Sequence, residues 1–286
     1  MYQHVFRKDS PTAQHIIGNY SLKNAEKRGL IIPVGHRWYS TEPLTGVEKI
    51  ACENGLLIGC LSALKLYGLW VPFDRSTHFI TAPNGSKPKI SQCSLHRPRA
   101  RTPLANHEIP TRAQSLVVPL QDAIEQALYY HEDETGLIIL DSALNKGFIN
   151  PYFADVAIAN VQSRKRRVLN RYVTESQSGS ETRVRNFLQS HNYKVQTQVF
   201  IDGIGRVDLL VGDSLIIECD STTFHSQPLN VTTDRERDLQ AHLHGFARIR
   251  LSYQQIWHQW EDTKKRLSMC LSTGLHRKSP RSLLDP

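Results

Sequence analysis

The sequence predicts an α/β (α+β) protein of more than one domain. Its 286 residues contain several stretches in which apolar residues recur at helical spacing, and short apolar runs bounded by Gly, Pro and Asp alternate with them. The first pattern is typical of amphipathic helices and the second of strands. Hydrophobic residues at 40% and charged residues at 22% are typical of a folded chain, and a chain of this length favours about two domains.

The first predicted domain, residues 1–45, has the outline of a winged helix-turn-helix. Thr12–Arg28 predicts one or two short helices that end at Gly29, and Leu30–Tyr39 predicts two strands joined by a tight turn. In a winged helix a basic helix enters the major groove and a basic hairpin contacts phosphates. A small packing unit with solvated lysines is the alternative interpretation. The candidate DNA contacts are Lys23, Lys27, Arg28 and Arg37.

Residues 46–174 form a second predicted domain of mixed α/β character. Helices are predicted over Val47–Leu69, Leu116–Tyr130, Thr135–Lys146 and Phe153–Val161, and strands over Thr77–Thr81 and Cys93–Leu95. One basic segment follows the second strand and another precedes the next boundary. Each segment either contacts DNA phosphates or is a solvated surface, and both interpretations stay open at this point. The residues concerned are Arg97, Arg99, Arg164, Lys165, Arg166 and Arg167.

A polar stretch, residues 175–180, marks the start of a third predicted domain, which ends at residue 271. Ser180 is a favourable N-cap for a helix that runs to Ser190. The segments after it predict the order αβββαβα, and residues 272–286 are predicted to be a flexible basic tail. These segments are a strand over Lys194–Ile201, a hairpin, a helix over Asp234–Gly245, a strand over Phe246–Leu251 and a helix over Gln254–Leu271.

The hairpin of the third domain places three carboxylates at one end of two apolar strands. Its apolar runs flank the turn Gly212–Ser214. If this loop has three residues, Asp208 lies directly opposite Glu218, and the side-chain period of two puts Asp220 on the same face. Their mutual repulsion is costly unless a divalent cation compensates it. The hairpin therefore predicts a site for Mg²⁺ (or Mn²⁺).

These groups suit the hydrolysis of a phosphodiester. That reaction needs an activated water and a countercharge for the developing negative charge, and bound Mg²⁺ supplies both. The expected metal ligands are Asp208, Glu218, the backbone carbonyl of Cys219, and Glu181 from the preceding helix. His225 is expected to transfer a proton near neutral pH, although a lone histidine is more often structural.

A helix after the hairpin supplies two further cations. Arg235 and Arg237 are expected to bind a phosphate, with Asp234 and Asp238 orienting them. Arginines and aspartates at this spacing also form ordinary surface ion pairs, worth about 0.3–0.5 kcal/mol. The order of the elements, in a basic chain, favours the functional interpretation.

The charge balance favours a polyanionic partner. Lys and Arg number 35 against 27 Asp and Glu, which gives a net charge of +8 and a pI near 9.3. The five cysteines lack C-x-x-C spacing, which makes a structural zinc site unexpected and favours reduced thiols. No secretory signal and no apolar run of about 18–20 residues is present, so we expect a cytoplasmic protein without a membrane partner.

Residues 176 to about 266 resemble the very-short-patch-repair-like endonuclease domain, a branch of the PD-(D/E)XK, or restriction-endonuclease-like, fold. The resemblance implies metal-dependent cleavage of DNA. Asp220 replaces the lysine of the general pattern, for which Lys194 and Arg206 are candidate substitutes, and the branch relies on a histidine instead. Ser221 stands where the domain usually has Gly. The matching positions are Glu181, Gly205–Asp208, Ile217–Asp220, His225, Arg237–Asp238 and Gly245–Phe246.

The first half of the chain is similar to the AbiEi-type antitoxin family. The similarity lies in Ala25–Tyr39, Gly55–Trp70 with Pro72, His78–Pro83 and Leu95–Arg97. It implies a winged helix followed by a mixed α/β domain, DNA binding, and a link to toxin–antitoxin or phage-defence loci.

Together the two halves predict a Mg²⁺-dependent DNA endonuclease that a winged helix positions on a DNA duplex. The alternative is an antitoxin-type transcriptional regulator whose nuclease-like domain is inactive. A third hypothesis is an RNA-cleaving enzyme, because the metal chemistry does not depend on the sugar. A second copy of the chain and a cognate toxin are further candidate partners.

Overall fold

A computed structural model describes residues 4–8, 10–35, 38–81, 88–97, 115–220 and 228–280, without the side chains of residues 220 and 228–234. Helices and strands are mixed throughout these ranges, and the strands form three sheets, which confirms the predicted α/β class. The chain divides into two compact units. The N-terminal unit comprises Met1–Leu140 and Ile149–Asn170, and the C-terminal unit comprises Asp141–Phe148 and Arg171–Pro286.

The N-terminal unit begins with a small helix–sheet module. Its strands form an antiparallel sheet in the order β1-β3-β2. Ser10 and Ser21 cap the two helices, each accepting a hydrogen bond from a backbone N–H in the first turn. The predicted helices and hairpin are present, and a first strand that was not predicted pairs with the hairpin. The elements are β1 (Val5–Arg7), α1 (Pro11–Ile17), α2 (Leu22–Lys27), β2 (Ile32–Gly35) and β3 (Trp38–Ser40).

A second sheet has the order β4-β5-β6, in which β5 and β6 are the two predicted strands and β4 replaces part of a predicted helix. The prediction of a single helix over Val47–Leu69 is wrong. The chain turns at Gly55, whose φ is +64°, and β4 then pairs with β5. Apolar residues are buried in either conformation, so helical spacing alone did not reveal the break. The elements are α3 (Gly46–Glu53), β4 (Leu57–Ile58), α4 (Cys60–Leu66), β5 (Thr77–Ile80) and β6 (Cys93–His96).

Four helices follow, and the first three lie close to their predicted positions. The first begins at Leu120 rather than Leu116, because the backbone of Leu116 and Val118 bonds to that of Ile58. No helix in the described ranges is long and apolar enough to cross a membrane. The helices are α5 (Leu120–Tyr130), α6 (Asp133–Asn145), α7 (Pro151–Ala159) and α8 (Ser163–Leu169).

The C-terminal unit has the predicted order αβββαβα, with the last helix divided in two. Its sheet has the order β10-β9-β8-β7, in which β7, β8 and β9 are antiparallel and β10 is parallel to β9. Ser178, not Ser180, caps the first helix. The elements are α9 (Gly179–Ser190), β7 (Val195–Ile201), β8 (Gly205–Val211), β9 (Leu215–Asp220), α10 (Pro228–Leu243), β10 (Ala247–Ser252), α11 (Tyr253–Trp257) and α12 (Trp260–Ser272).

Apolar side chains cover both faces of this sheet. Leu209, Val211 and Ile217 pack with residues of α9, α11 and α12 on one face. Ile216 packs with Ala241 of α10 on the other face. Because both faces are buried, the central strands are apolar along most of their length, and the carboxylates stand out at their ends.

The segment after α12 differs from the flexible tail that the sequence predicts. Leu275–Arg277 form a 3₁₀ turn, and the carbonyl of His276 accepts a hydrogen bond of 2.9 Å from the backbone N–H of Asp213. Gly212 permits this approach, since a Cβ at this position would lie 2.2 Å from the His276 carbonyl oxygen. The described part of the tail, up to residue 280, therefore packs on the turn of the β8–β9 hairpin.

Candidate active site

The β8–β9 hairpin ends in an exchange of hydrogen bonds between side chains and backbone. Its ladder runs from Val211 opposite Leu215 to Leu209 opposite Ile217, which gives the predicted three-residue loop. One residue beyond, the Asp208 carboxylate accepts a hydrogen bond of 2.8 Å from the backbone N–H of Cys219. The backbone N–H of Asp208 donates to Glu218 Oε2 at 3.1 Å. Asp208 and Glu218 therefore face each other where the strands stop pairing.

Glu181 reaches Asp208 through a glutamine that the sequence did not single out. Glu181 lies in the first turn of α9 and is buried, and its Oε2 accepts from Gln198 Nε2 at 2.9 Å. The same Nε2 lies 3.2 Å from Asp208 Oδ1. Gln198 has a φ of +53° in the middle of β7, a left-handed conformation that costs a non-glycine residue free energy and that clusters at functional sites. Gln198 thus joins two carboxylates.

The surroundings of Asp208 disfavour its ionised form. Burial is the main reason that the pKa of Asp208 is raised to about 7, and the charges of Glu181 and Glu218 add to the rise. Burial also raises the pKa of Glu181. A divalent cation would reverse these shifts, because it favours the ionised form of each carboxylate.

Glu218 also faces two arginines. Its Oε1 lies 2.7 Å from the Arg248 guanidinium and 3.6 Å from that of Arg237. Arg248 is nearly buried, and its other nitrogen lies 2.6 Å from Asp238. The carboxylate of Glu218 is therefore largely neutralised by protein cations.

The predicted arrangement of phosphate-binding arginines differs from the observed one. Arg237 donates hydrogen bonds to the carbonyls of Ile204, at 2.9 Å, and Arg206, at 2.5 Å, and so supports the start of β8. Asp238 binds Arg248 and Arg250 of β10 rather than orienting the arginines of its own helix. Arg235 remains an exposed cation on α10.

The structure gives the position of some of the remaining predicted site residues, whereas others lie outside the described residues. Asp220 ends β9 opposite Ser252, and its side chain is not described. The prediction for His225 lies outside the described residues, and so does the side chain of Asp234. Lys194 belongs to the opposite end of the hairpin, since its carbonyl accepts from the N–H of Gly212. It is therefore not a substitute for the missing lysine.

The carboxylates fit a hydrated ion better than a fully enclosed one. Within the described ranges, Asp208, Glu218 and Glu181 do not bring three ligand oxygens within 4.8 Å of one another, whereas one Cys/His cluster in the N-terminal unit meets this criterion. Mg²⁺ usually keeps several waters and uses one or two protein carboxylates. Asp208 with Glu218 or Glu181 satisfies that requirement.

If Asp208 is a Mg²⁺ ligand, the affinity of the chain for Mg²⁺ is expected to rise with pH. Protonation of Asp208 competes with the ion, and its pKa of about 7 places this competition near neutrality. Above that pH the carboxylate is charged and affinity is complete, whereas one unit below it affinity falls about tenfold. Calorimetric titration with Mg²⁺ at about pH 6 and about pH 8 measures the difference, and equal affinities would contradict the assignment.

The candidate DNA contacts of the N-terminal unit are mostly exposed. Lys23 and Lys27 are exposed on α2, and Arg28 stacks over Tyr20 at 4.5 Å from the ring centroid. Arg97 is exposed after β6, while Arg37 and Arg99 lie outside the described residues. These positions are compatible with phosphate contacts.

The basic segment of α8 separates into surface and buried residues. Arg164, Arg166 and Arg167 are exposed, but Lys165 is buried, and its ammonium group donates to the carbonyls of Leu128, Tyr129 and His131 at the end of α5. A cation at this helix end interacts favourably with the helix dipole. The prediction that Lys165 contacts DNA is therefore wrong. Lys165 lies four residues before the buried Leu169, and this helical spacing was the signal in the sequence that both residues lie on the buried face of α8.

Comparisons of the chain with family models, with curated proteins and with solved structures found no match.

Proposed function

We propose that this chain is a Mg²⁺-dependent DNA endonuclease with its reacting centre at Asp208, Glu218 and Glu181. The observation that carries the proposal is the environment of Asp208. Its carboxylate lies at the end of a two-stranded ladder, with a pKa raised to about 7 by burial and by two neighbouring carboxylates. Groups with such shifts occur preferentially at functional sites.

The residues of the site suit the positioning of an ion and a phosphate. Asp208 and Glu218 would hold Mg²⁺, which when bound activates water and stabilises negative charge on phosphate oxygens. Gln198 orients the carboxylates of both Asp208 and Glu181 through its amide. Exposed Arg235 on α10 is available to bind a phosphate.

The substrate proposed is duplex DNA. The chain carries a net charge of +8, and its first module combines a basic helix with a three-stranded antiparallel sheet. Positive charge of this kind binds the phosphate backbone independently of sequence. A carboxylate cluster suited to phosphodiester hydrolysis and a basic helix–sheet module in one chain support an enzyme that acts on the DNA to which it binds.

Incubation of supercoiled plasmid DNA with the purified chain tests the proposal. We expect open-circular or linear product in the presence of Mg²⁺ or Mn²⁺, and none after chelation of the metal. An RNA of similar length, in parallel, tests the RNA-cleaving hypothesis. Absence of cleavage of any DNA with either metal would refute the nuclease proposal.

The alternative, an antitoxin-type regulator with an inactive site, is favoured by one observation. Arg248 lies 2.7 Å from Glu218 and competes with any cation for this carboxylate. A regulator of this type would bind one promoter segment tightly and cleave no DNA. Measuring DNA binding and cleavage in the same preparation distinguishes the two functions.

Replacement of both α2 lysines is expected to weaken DNA binding by an electrostatic mechanism. If Lys23 and Lys27 each contact one phosphate, the double variant Lys23→Ala/Lys27→Ala should reduce the slope of log affinity against log salt by about 2. Fluorescence anisotropy with a labelled duplex at several salt concentrations measures the slope.

The matched control for this prediction is Lys264→Ala/Lys265→Ala on α12. These lysines lie 2.7 and 3.5 Å from Glu261 and Asp262, so their charges are already paired on the surface. An equal decrease in slope for both double variants would show that α2 makes no particular contact.

A further inference from the structure

We propose that Cys60, His78, His96 and His131 form a second metal site, a closed zinc site within the N-terminal unit. This site is independent of the proposed nuclease function and of its carboxylates. Each of the four residues offers one ligand atom, and these atoms all lie within 4.8 Å of one another. Two of the residues are buried and two are half-buried.

The distances between the ligand atoms are close to those of a tetrahedral zinc site. Cys60 Sγ lies 3.1 Å from His131 Nε2, and His78 Nδ1 lies 3.1 Å from His96 Nε2. Bonds of about 2.0–2.3 Å in a tetrahedron place neighbouring ligand atoms about 3.3–3.7 Å apart. The four atoms therefore need only side-chain adjustments to surround one ion.

The fold brings these residues together from four elements. His78 and His96 lie on the neighbouring parallel strands β5 and β6, where the register places His78 opposite Ser94 and thus on the face of His96. His131 follows the last residue of α5. Cys60 is the first residue of α4 and has a φ of +49°. The left-handed backbone of Cys60 costs free energy, and such conformations cluster at functional sites.

Close packing beside Cys60 fixes its position. A Cβ on Gly59 would lie 2.3 Å from a side-chain carbon of Ile80, so only glycine allows this approach to β5. The backbone N–H of Cys60 donates to Gln126 Oε1 of α5 at 2.9 Å. The thiol is therefore placed by contacts with the same elements that supply the histidines.

A second layer of contacts orients the histidines. Asp74 Oδ2 lies 3.4 Å from His78 Nε2, so the nitrogen that faces away from His96 meets a carboxylate. Carboxylates occupy this position behind many zinc-bound histidines. The His96 ring stacks on Tyr130, with centroids 4.3 Å apart, and Lys165 donates to the carbonyl of His131.

The chemistry of the ligands selects the metal. One thiolate and three imidazoles suit Zn²⁺, which accepts sulfur and nitrogen in tetrahedral geometry, and they do not suit Mg²⁺, which requires oxygen. With four protein ligands no position remains for a substrate, so the role is structural. The competing interpretation is a metal-free cluster in which a thiol and neutral imidazoles form hydrogen bonds with one another.

Metal analysis of the full chain, purified without a histidine tag, tests the proposal. We expect about one Zn²⁺ per chain, retained after dialysis against metal-free buffer. After removal of zinc, added Co²⁺ should produce the visible absorption of tetrahedral cobalt and a near-ultraviolet band from thiolate-to-cobalt charge transfer. Cys60→Ser should lose the charge-transfer band, whereas Cys270→Ser, a half-buried cysteine of the C-terminal unit, should keep it.

The role of Asp74 gives a second readout that does not depend on the ligands themselves. Asp74→Asn should lower the zinc affinity about 10–100-fold, as expected for a residue that orients a metal-bound histidine. If Cys60→Ser does not fold, the wild-type stoichiometry and cobalt spectrum still decide the question. A wild-type chain that binds no stoichiometric Zn²⁺ and gives no tetrahedral cobalt spectrum, or a cobalt spectrum unchanged in Cys60→Ser, overturns the proposal.

Discussion

Asp208→Asn is expected to reduce Mg²⁺-dependent plasmid cleavage at least about 10³-fold while the chain stays folded and binds DNA. A bound metal ion contributes several kcal/mol to phosphodiester hydrolysis, and about 4 kcal/mol corresponds to a factor of about 10³ in rate. The amide has almost the shape of the carboxylate and can still accept the hydrogen bond from the Cys219 N–H. It lacks the charge that holds a divalent cation.

The stability of this variant separates a catalytic effect from a structural one. Burial and like charges make the ionised Asp208 unfavourable in the metal-free chain, so neutral asparagine should leave the unfolding temperature unchanged or raise it. Asp213→Asn is the matched control, because Asp213 is an exposed carboxylate in the turn of the same hairpin. Cleavage by Asp208→Asn at the wild-type rate would show that the activity arises elsewhere.

The hairpin register could be predicted because it depends on local rules. A three-residue loop and a side-chain period of two are sufficient to place Asp208 opposite Glu218, whatever the rest of the chain does. The same local information could not identify Gln198. Its role depends on a left-handed backbone in the middle of a strand, and a glutamine among the mixed polar and apolar residues of β7 carries no signal of that conformation.

The arginine partners of Glu218 and Asp238 depend on a longer-range feature. Arg248 and Arg250 lie on β10, which joins β9 in parallel only after the chain has passed through α10. From the sequence, Arg235 and Arg237 on the helix after the hairpin were expected to bind a phosphate, and no cation was assigned to Glu218. Parallel pairing brings Arg248 to Glu218 and Asp238, and Arg250 to Asp238, in addition to Arg237, which lies 3.6 Å from Glu218.

The Cys/His cluster shows the limit of spacing rules for metal sites. The absence of C-x-x-C pairs excludes sites with two ligands on one tight turn, but Cys60 and His131 are 71 residues apart in sequence and 3.1 Å apart in space. Their juxtaposition requires the packing of α4 against α5. No local pattern encodes it, so a zinc site was not expected.

Asp141→Ala is expected to destabilise the C-terminal unit by about 3–5 kcal/mol, which is the cost of leaving a buried charge without its partner. Asp141 Oδ2 lies 2.5 Å from the guanidinium of Arg185, and both side chains are almost completely buried. Thr182 and the backbone N–H of Val173 also donate to this carboxylate, at 2.7 and 2.9 Å. Urea denaturation followed by circular dichroism measures the loss.

The control for this prediction is a carboxylate with an exposed partner. Asp262→Ala removes an ion pair of 3.5 Å between side chains that are 70% and 76% exposed, and it should change stability by less than about 1 kcal/mol. Similar losses for Asp141→Ala and Asp262→Ala would show that Arg185 finds water or another partner in the variant.

Replacing both members of the buried pair should restore most of the stability that Asp141→Ala loses. This result would identify the unpaired guanidinium of Arg185 as the cause of the destabilisation. Burial raises the pKa of Asp141 although Arg185 lowers it, so desolvation offsets much of the attraction between the two charges. Asp141→Leu/Arg185→Met should therefore be far more stable than Asp141→Ala. Leucine and methionine are good helix formers, so the double variant should retain α6 and α9, and with α9 the position of Glu181 in the proposed site.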